Sequence, residues 1–88
     1  MRKEYRPGIY RHFKGNLYRL LYLAKDSETQ EDLVVDQALY GERGYWVRPA
    51  KMWNEEINRG GYRGARFQWV AETEADALQR LEAKGEKA

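Results

Sequence analysis

The sequence contains no cysteine and only one histidine, His12. Without cysteine the chain can form neither a disulfide nor a thiolate metal site, a composition typical of proteins in a reducing compartment such as the bacterial cytoplasm. One histidine among scattered acidic residues also matches none of the ligand spacings of known metal sites. The composition therefore predicts a cytoplasmic protein with no metal and no cofactor.

Long apolar runs are also missing. No stretch approaches the roughly 18 apolar residues of a membrane span, and no apolar signal segment follows the start of the sequence. We therefore expect no membrane partner. The length of 88 residues predicts one small domain over 1–88. Its core must depend on large side chains, of which the chain has seven Tyr, three Trp and two Phe.

Charge is segregated along the chain, although the net charge is only +2. Residues 1–25 carry seven basic side chains and one acidic one, whereas residues 26–42 carry six acidic side chains and no basic one. Residues 43–66 are basic again, with six basic and two acidic side chains. Two interpretations follow. Neighbouring basic and acidic strands neutralise each other, or the two basic segments converge into a face that binds an anionic ligand.

Five short segments have the composition of strands and are bounded by turn signals. They are residues 9–13, 17–25, 33–40, 45–48 and 65–71. A short helix near 50–58 is expected after Pro49, because proline suits the first turn of a helix. A C-terminal helix near 73–84 is expected because Thr73 and Asp76 resemble a capping box. The predicted fold class is mainly β (α+β), a small, strongly bent antiparallel sheet or an SH3-like barrel of about five strands.

Six blocks of the sequence occur in the order found in a bacterial protein family. They are YRHFKG (10–15), SETQE (27–31), VV (34–35), QALYG (37–41), WVRP (46–49) and Met52. On these blocks the chain resembles domain of unknown function 1653 over about residues 8–67, with the C-terminal helix appended. The resemblance implies no function, because none is established for that family. The chain has Asp26 and Asp36 where the family usually has His and Tyr, so we expect no chemistry that needs a second histidine.

Eight residues, most of them within these blocks, are candidates for a ligand-binding site. They are His12, Lys14, Ser27, Glu28, Thr29, Gln37, Arg48 and Lys51. The block 46–53 sets two tryptophans beside Arg48 and Lys51, and such combinations of aromatic and cationic groups suit planar or phosphorylated ligands. No residue has the spacing of an activated nucleophile, so we assign no catalytic residue.

Several of these residues also have a structural interpretation. Ser27 and Thr29 can satisfy backbone N–H groups within a turn. Gln37 can hold the backbone of a neighbouring loop. We favour Trp46 as a core residue and Arg48 as the partner of an acidic residue in the segment that precedes it.

The run RGGYRG (59–64) superficially resembles the Arg-Gly-Gly segments that contact RNA. A single copy between a predicted helix and a predicted strand is more simply a loop, in which the glycines end the helix and form a turn. We therefore do not include this run in the candidate site.

Three function classes remain open. The leading hypothesis is a small non-enzymatic binding module for nucleic acid or a nucleotide-like ligand, and a net charge of +2 predicts that such binding is weak and salt-sensitive. The second is a protein-interaction module that presents a strand edge or an aromatic groove to another protein. The third is an enzyme in which His12 and Glu28 handle a proton on a small substrate.

Overall fold

A computed structural model describes residues 5–85 of the chain. In chain order its elements are β1 (Gly8–His12), β2 (Leu17–Lys25), β3 (Asp32–Ala38), β4 (Tyr45–Pro49), α1 (Ala50–Trp53), β5 (Glu56–Arg59), β6 (Tyr62–Ala65), β7 (Phe67–Ala71) and α2 (Glu74–Ala83). Five of the strands form one sheet in the order β4-β3-β2-β1-β7, with every neighbouring pair antiparallel. Strands β5 and β6 form a separate hairpin.

The sheet is irregular and open. Its register shifts between Ile9 and Tyr10 on β1 and between Leu20 and Tyr22 on β2, and such bulges bend a strand and increase its twist. Strands β4 and β7 are its two edges and do not pair with each other. The mainly β class with an antiparallel sheet is therefore confirmed, whereas the alternative of a closed barrel is wrong.

One face of the sheet carries an aromatic core. Tyr10 and Tyr18 lie side by side on β1 and β2, and both are buried with Phe67 of β7. The helix α1 covers this face with Trp53, which is fully buried and stacks on Phe67 at 3.8 Å between ring centroids, with 5° between the ring planes. This core is built from large aromatic side chains, as the sequence predicts.

The other face is covered by α2 and has a smaller, aliphatic core. Its buried residues are Ile9, Leu17, Ala71, Ala77 and Leu81. The helix begins after Thr73, whose hydroxyl accepts a hydrogen bond from the Asp76 N–H at 3.1 Å, as expected of an N-cap. The predicted helix near 73–84 is therefore confirmed.

Residues 50–65 differ from the sequence prediction. The predicted helix near 50–58 ends at Trp53, and the segment RGGYRG lies in the β5–β6 hairpin, so there are seven strands rather than about five. Gly60 and Gly61 have φ values of 57° and 82°. Two consecutive positive φ angles suit a two-residue hairpin turn whose twist matches that of the flanking strands. The glycine pair therefore forms a hairpin turn and does not end a helix.

Neither helix in the described part of the chain is long and apolar enough to cross a membrane.

Candidate functional site

His12 lies at the end of β1, in the tight turn that leads to β2. Its backbone N–H donates to the carbonyl of Asn16 at 2.8 Å, and its carbonyl accepts from the Gly15 N–H at 2.7 Å. Its side-chain Nδ1 accepts a hydrogen bond from the backbone N–H of Lys14 at 3.1 Å. A neutral imidazole that accepts at Nδ1 carries its proton on Nε2, so the ring offers an N–H donor at Nε2.

The imidazole is packed against aromatic rings and surrounded by cations. Its centroid lies 4.9 Å from that of Phe67 and 6.1 Å from that of Tyr18. Partial burial lowers the pKa of His12 to about 4, and the positive charges of Arg66, Arg48 and Lys14 act in the same direction. His12 is therefore neutral at pH 7.

Arg48 on β4 is held over the same aromatic rings by a buried carboxylate. Its Nε donates to Oδ2 of Asp36 on β3 at 2.9 Å, and the Asp36 side chain is fully buried. Its guanidinium carbon lies 4.9 Å from the ring centroid of Tyr18 and 5.4 Å from that of Phe67. Burial raises the pKa of Asp36, and Arg48 opposes that rise. The predicted pairing of Arg48 with an acidic residue in 26–36 is confirmed.

Arg66 is fixed where three segments meet. Its carbonyl accepts from the Phe13 N–H at 2.9 Å and its own N–H donates to the Glu55 carbonyl at 2.8 Å. Its guanidinium donates to the Glu55 carboxylate through both Nε and Nη2. The carboxylates of Asp36 and Glu55 are thus paired with Arg48 and Arg66 respectively. We call the group formed by His12, Lys14, Tyr18, Arg48, Arg66 and Phe67 the His12 site.

Tyr18 extends the His12 site toward the β3–β4 turn. Its hydroxyl forms a hydrogen bond of 2.6 Å with the hydroxyl of Tyr40. Burial raises the pKa of Tyr18 to about 12, and the hydrogen bond with Tyr40 adds to the rise. Tyr18 therefore stays protonated at neutral pH and cannot act as a base there.

Ser27, Glu28 and Thr29 lie far from His12. They are exposed in the β2–β3 turn, at the opposite end of β2 from His12, which is roughly 25 Å along a strand of nine residues. Oδ1 of Asp26 accepts from the backbone N–H groups of Glu28 at 2.8 Å and Thr29 at 3.1 Å. The Thr29 hydroxyl accepts from the Glu31 N–H at 3.2 Å. These contacts match the structural interpretation of a turn.

Gln37 and Lys51 are also separate from the His12 site. Gln37 follows Asp36 on β3, so the two side chains point to opposite faces of the sheet, and its Nε2 donates to the Arg43 carbonyl at 3.1 Å. Lys51 is exposed on α1 and lines a shallow cleft with Glu31 and Asp32. The structure therefore brings together three of the eight predicted residues, namely His12, Lys14 and Arg48.

The sequence prediction missed Tyr18, Arg66 and Phe67 and misplaced Trp46. The sequence predicts Trp46 in the core, but it is 55% exposed. It pairs with Asp36 and shares its face of the sheet, but it lies on the edge strand β4. Phe67 reaches His12 because the two residues are partners in the pairing of β1 with β7. That pairing joins segments about 55 residues apart in sequence, so no local signal could reveal it.

Comparisons with known proteins agree with this fold. The model of a family described as a protein of unknown function (DUF1653) matches residues 8–69, a range that contains every residue of the His12 site. The chain is similar to the crystal structure of a DUF1653 protein from Bordetella bronchiseptica, with a TM-score of 0.73 and 39% sequence identity. That similarity covers 80% of this chain and 92% of the other. No curated protein matches the chain significantly.

Proposed function

The chain belongs to the DUF1653 family, whose description assigns no function, and we propose that it is a small binding module for an anionic ligand of the nucleic-acid or nucleotide type. The ligand binds at the His12 site. The observation that carries this proposal is the guanidinium of Arg48, fixed by buried Asp36 beside two aromatic rings and a neutral histidine.

The His12 site is rich in hydrogen-bond donors. A guanidinium has five N–H donors, and the single bond from Nε of Arg48 to Asp36 uses one of them. Nε2–H of His12 and the exposed ammonium of Lys14 add further donors. Because arginine recognises phosphate through paired N–H groups, this arrangement suits a phosphate oxygen or the carbonyl edge of a base.

The guanidinium plane of Arg48 favours a ligand with a planar group. The rings of Tyr18 and Phe67 are buried and lie at right angles, with centroids 5.5 Å apart. Arg48 packs over both rings, so its guanidinium, and not the buried rings, offers the surface for stacking. Bases stack on aromatic side chains and on guanidinium planes in single-stranded nucleic-acid binding. With a net charge of +2 the whole molecule is weakly basic, so we expect the affinity to fall steeply as salt rises.

We test this proposal by NMR titration of the protein with mononucleotides, a short single-stranded RNA and a short single-stranded DNA. We expect saturable shifts at the amides of His12, Lys14 and Phe67 at about 50 mM salt that weaken strongly by about 200 mM. Arg48→Lys retains a positive charge beside Asp36 and loses the planar fork, so it should weaken binding by roughly tenfold. Lys14→Gln should weaken it by about threefold, as expected for one exposed cation.

Arg63→Gln is the matched control, because Arg63 is an exposed cation on β6 outside the His12 site. It should change binding by less than Lys14→Gln does. Binding that shows no saturable shift at His12 or Phe67 with any of these ligands, or equal loss in all three variants, would contradict the proposal.

An edge strand supports a second candidate function, a protein-interaction module whose partner is a second copy of the chain. On β4, Tyr45 is 69% exposed, Trp46 is 55% exposed and Val47 is 61% exposed. The Gly44 carbonyl accepts from the Ala38 N–H on β3, so in an antiparallel ladder the backbone groups of Tyr45 and Val47 point outward. Pairing about a two-fold axis at Val47 would place Trp46 opposite the Arg48 of the second copy, a favourable cation–π arrangement.

Sedimentation velocity distinguishes this candidate from a monomeric module. If it is correct, a concentration-dependent dimer forms and Val47→Lys abolishes it, because charge on an edge strand opposes strand pairing. A monomer at every accessible concentration would exclude it.

The enzyme hypothesis has no structural support from its proposed pair. His12 and Glu28 lie at opposite ends of β2, so neither can pass a proton to a substrate bound by the other.

A further inference from the structure

The β5–β6 hairpin has two chemically different faces. Arg59 pairs with Tyr62 across the hairpin, and Ile57, two residues before Arg59, shares their face. Arg63 pairs with Asn58 and therefore lies on the opposite face. Because Ile57 is buried, the face that carries Arg59 is the one turned toward the rest of the protein.

This face of the hairpin is held against the turn that follows β1. The Phe13 N–H in that turn donates to the Arg66 carbonyl at 2.9 Å. The rings of Phe13 and Tyr62 stack, with centroids 5.6 Å apart and 29° between the ring planes. The Tyr62 hydroxyl donates to the Ala65 carbonyl at 2.8 Å, which fixes the ring in this position. The position of Arg59 relative to the turn is therefore defined by packing.

Two exposed cations converge on the ring of Phe13. The guanidinium carbon of Arg59 lies 5.7 Å from the ring centroid, and Nζ of Lys14 lies 5.9 Å from it. The two charged groups are therefore at most about 12 Å apart, which corresponds to three to four nucleotides at the roughly 3.4 Å rise per nucleotide of one strand. The ion pairs between described residues include neither cation.

We call the group formed by Phe13, Lys14, Arg59 and Tyr62 the hairpin surface. It is continuous with the His12 site, because Lys14 belongs to both and the ring centroids of His12 and Phe13 lie 4.5 Å apart. A ligand that extends beyond the His12 site in this direction meets a second positive charge at Arg59.

From this geometry we propose that the hairpin surface binds the phosphate backbone of a single-stranded nucleic acid, one nucleotide of which occupies the His12 site. The inference rests on the proposed function and sharpens it, because the ligand is then an oligonucleotide and not a mononucleotide. Negative charges that repeat along one strand match cations spaced along one surface. Arginine also recognises phosphate oxygens through paired N–H groups, which suits the exposed guanidinium of Arg59.

The test compares uridine monophosphate with an RNA of eight uridines, by NMR titration of the whole chain. Both ligands should shift the amides of His12 and Phe67, and only the octamer should also shift those of Arg59 and Tyr62. Arg59→Gln should weaken octamer binding by about fivefold and leave binding of the monophosphate within about twofold. The slope of log affinity against log salt for the octamer should become shallower by about 0.7, the value for one phosphate contact on a single strand.

Arg63→Gln is the matched control, because it removes the same charge from the opposite face of the same hairpin. It should leave octamer binding within about twofold and its salt slope unchanged, since it removes only long-range, screened charge. A purely structural role for Arg59, packed on Phe13 beside the His12 site, predicts instead that Arg59→Gln weakens both ligands equally.

The inference is overturned if the octamer gives no shift at Arg59 and Tyr62, if Arg59→Gln behaves as Arg63→Gln does, or if it weakens both ligands equally. In these cases shifts at His12 and Phe67 with both ligands would leave the proposed function intact. Failure of the proposed function has a different signature, namely no saturable shift at His12 and Phe67 with either ligand. Shifts confined to the hairpin would likewise overturn the continuous strand.

Discussion

The two faces of the sheet differ in how they are built and in what they can do. The face under α1 combines stacked aromatic rings with a buried ion pair, Asp36–Arg48. The face under α2 has an aliphatic core, and the ion pair between Arg43 and Glu74 at its rim is exposed. One face therefore holds its polar groups inside the core, and the other holds them at its edge.

This difference has a physical consequence. A buried charge depends on its partner, because removing the partner leaves a charge without solvent. A charge at the rim keeps its hydration when its partner is removed. We therefore expect substitutions under α1 to change stability most, and substitutions of exposed charges at the rim of the α2 face to cost little stability.

The largest effect is expected where the aromatic core is emptied. Trp53→Ala removes the fully buried indole that stacks on Phe67 and should lower the free energy of unfolding by about 5 kcal/mol. Leu81→Ala on the α2 face should cost about 2–3 kcal/mol. Urea unfolding followed by circular dichroism measures both losses. Equal losses would show that the two faces contribute alike to stability.

The next effect concerns the buried ion pair. Arg48→Met leaves the Asp36 carboxylate buried without its partner and should cost about 3 kcal/mol at pH 7. Burial already raises the pKa of Asp36 above its unfolded value of 3.8, and loss of Arg48 removes the group that opposes the rise. The stability of the variant should therefore fall as pH rises from 3.8 through the raised pKa of Asp36, and its deficit should shrink at pH 4.

Urea unfolding of Arg48→Met and the unmodified protein at pH 4 and pH 7 measures this change. Arg43→Met is the matched control, because Arg43 pairs with Glu74 at the exposed surface. Its deficit should be much smaller and should not shrink at pH 4 through Asp36. A deficit of Arg48→Met that is the same at both pH values would contradict the assignment.

The smallest effect concerns His12 and pH. Its pKa is about 4 in the folded protein, below the ordinary histidine value of 6.5, so the unfolded chain binds more protons between these limits. The stabilising contribution is complete above pH 6.5 and is lost as pH falls toward 4. Because His12 is only partly buried, we expect a loss on the order of 1 kcal/mol between pH 6.5 and 5.

His12→Gln should remove this slope, since glutamine does not titrate. Thermal unfolding of both proteins between pH 5 and 6.5 measures the difference, and this range avoids the titration of carboxylates such as Glu74, whose pKa is lowered by Arg43. If the stabilities of the two proteins fall in parallel as the pH is lowered, His12 is not responsible for the loss.

The sequence predicted most of the sheet and α2 but not the chain between Pro49 and Phe67. The strands up to β4 and the cap at Thr73 have strong local signals, namely β-forming runs between turns and a hydroxyl that bonds the first turn. The sequence predicts a helix over residues 50–58. In the structure residues 56–59 form a strand of a short hairpin, and Ile57 on that strand is buried. The glycine pair was ambiguous, because it can either end a helix or turn a hairpin, and only packing decides between the two.

The candidate site was also predicted only in part. His12, Lys14 and Arg48 were found from residue type and come together. The residues Ser27, Glu28 and Thr29 were grouped with them because their hydroxyl and carboxylate groups suit a polar ligand, but they lie in the β2–β3 turn. Strand lengths decide their separation, since β2 continues to Lys25, five residues beyond Leu20, the partner of Gly8 at the start of β1.

The sequence by itself determined the family, the mainly β class and the absence of disulfides. These depend on residue type and on local order along the chain. Only the tertiary structure decided that Asp36 is buried beside Arg48, that Phe67 lies against His12 and that Trp46 is exposed. These features depend on contacts between distant segments, such as the pairing of β1 with β7.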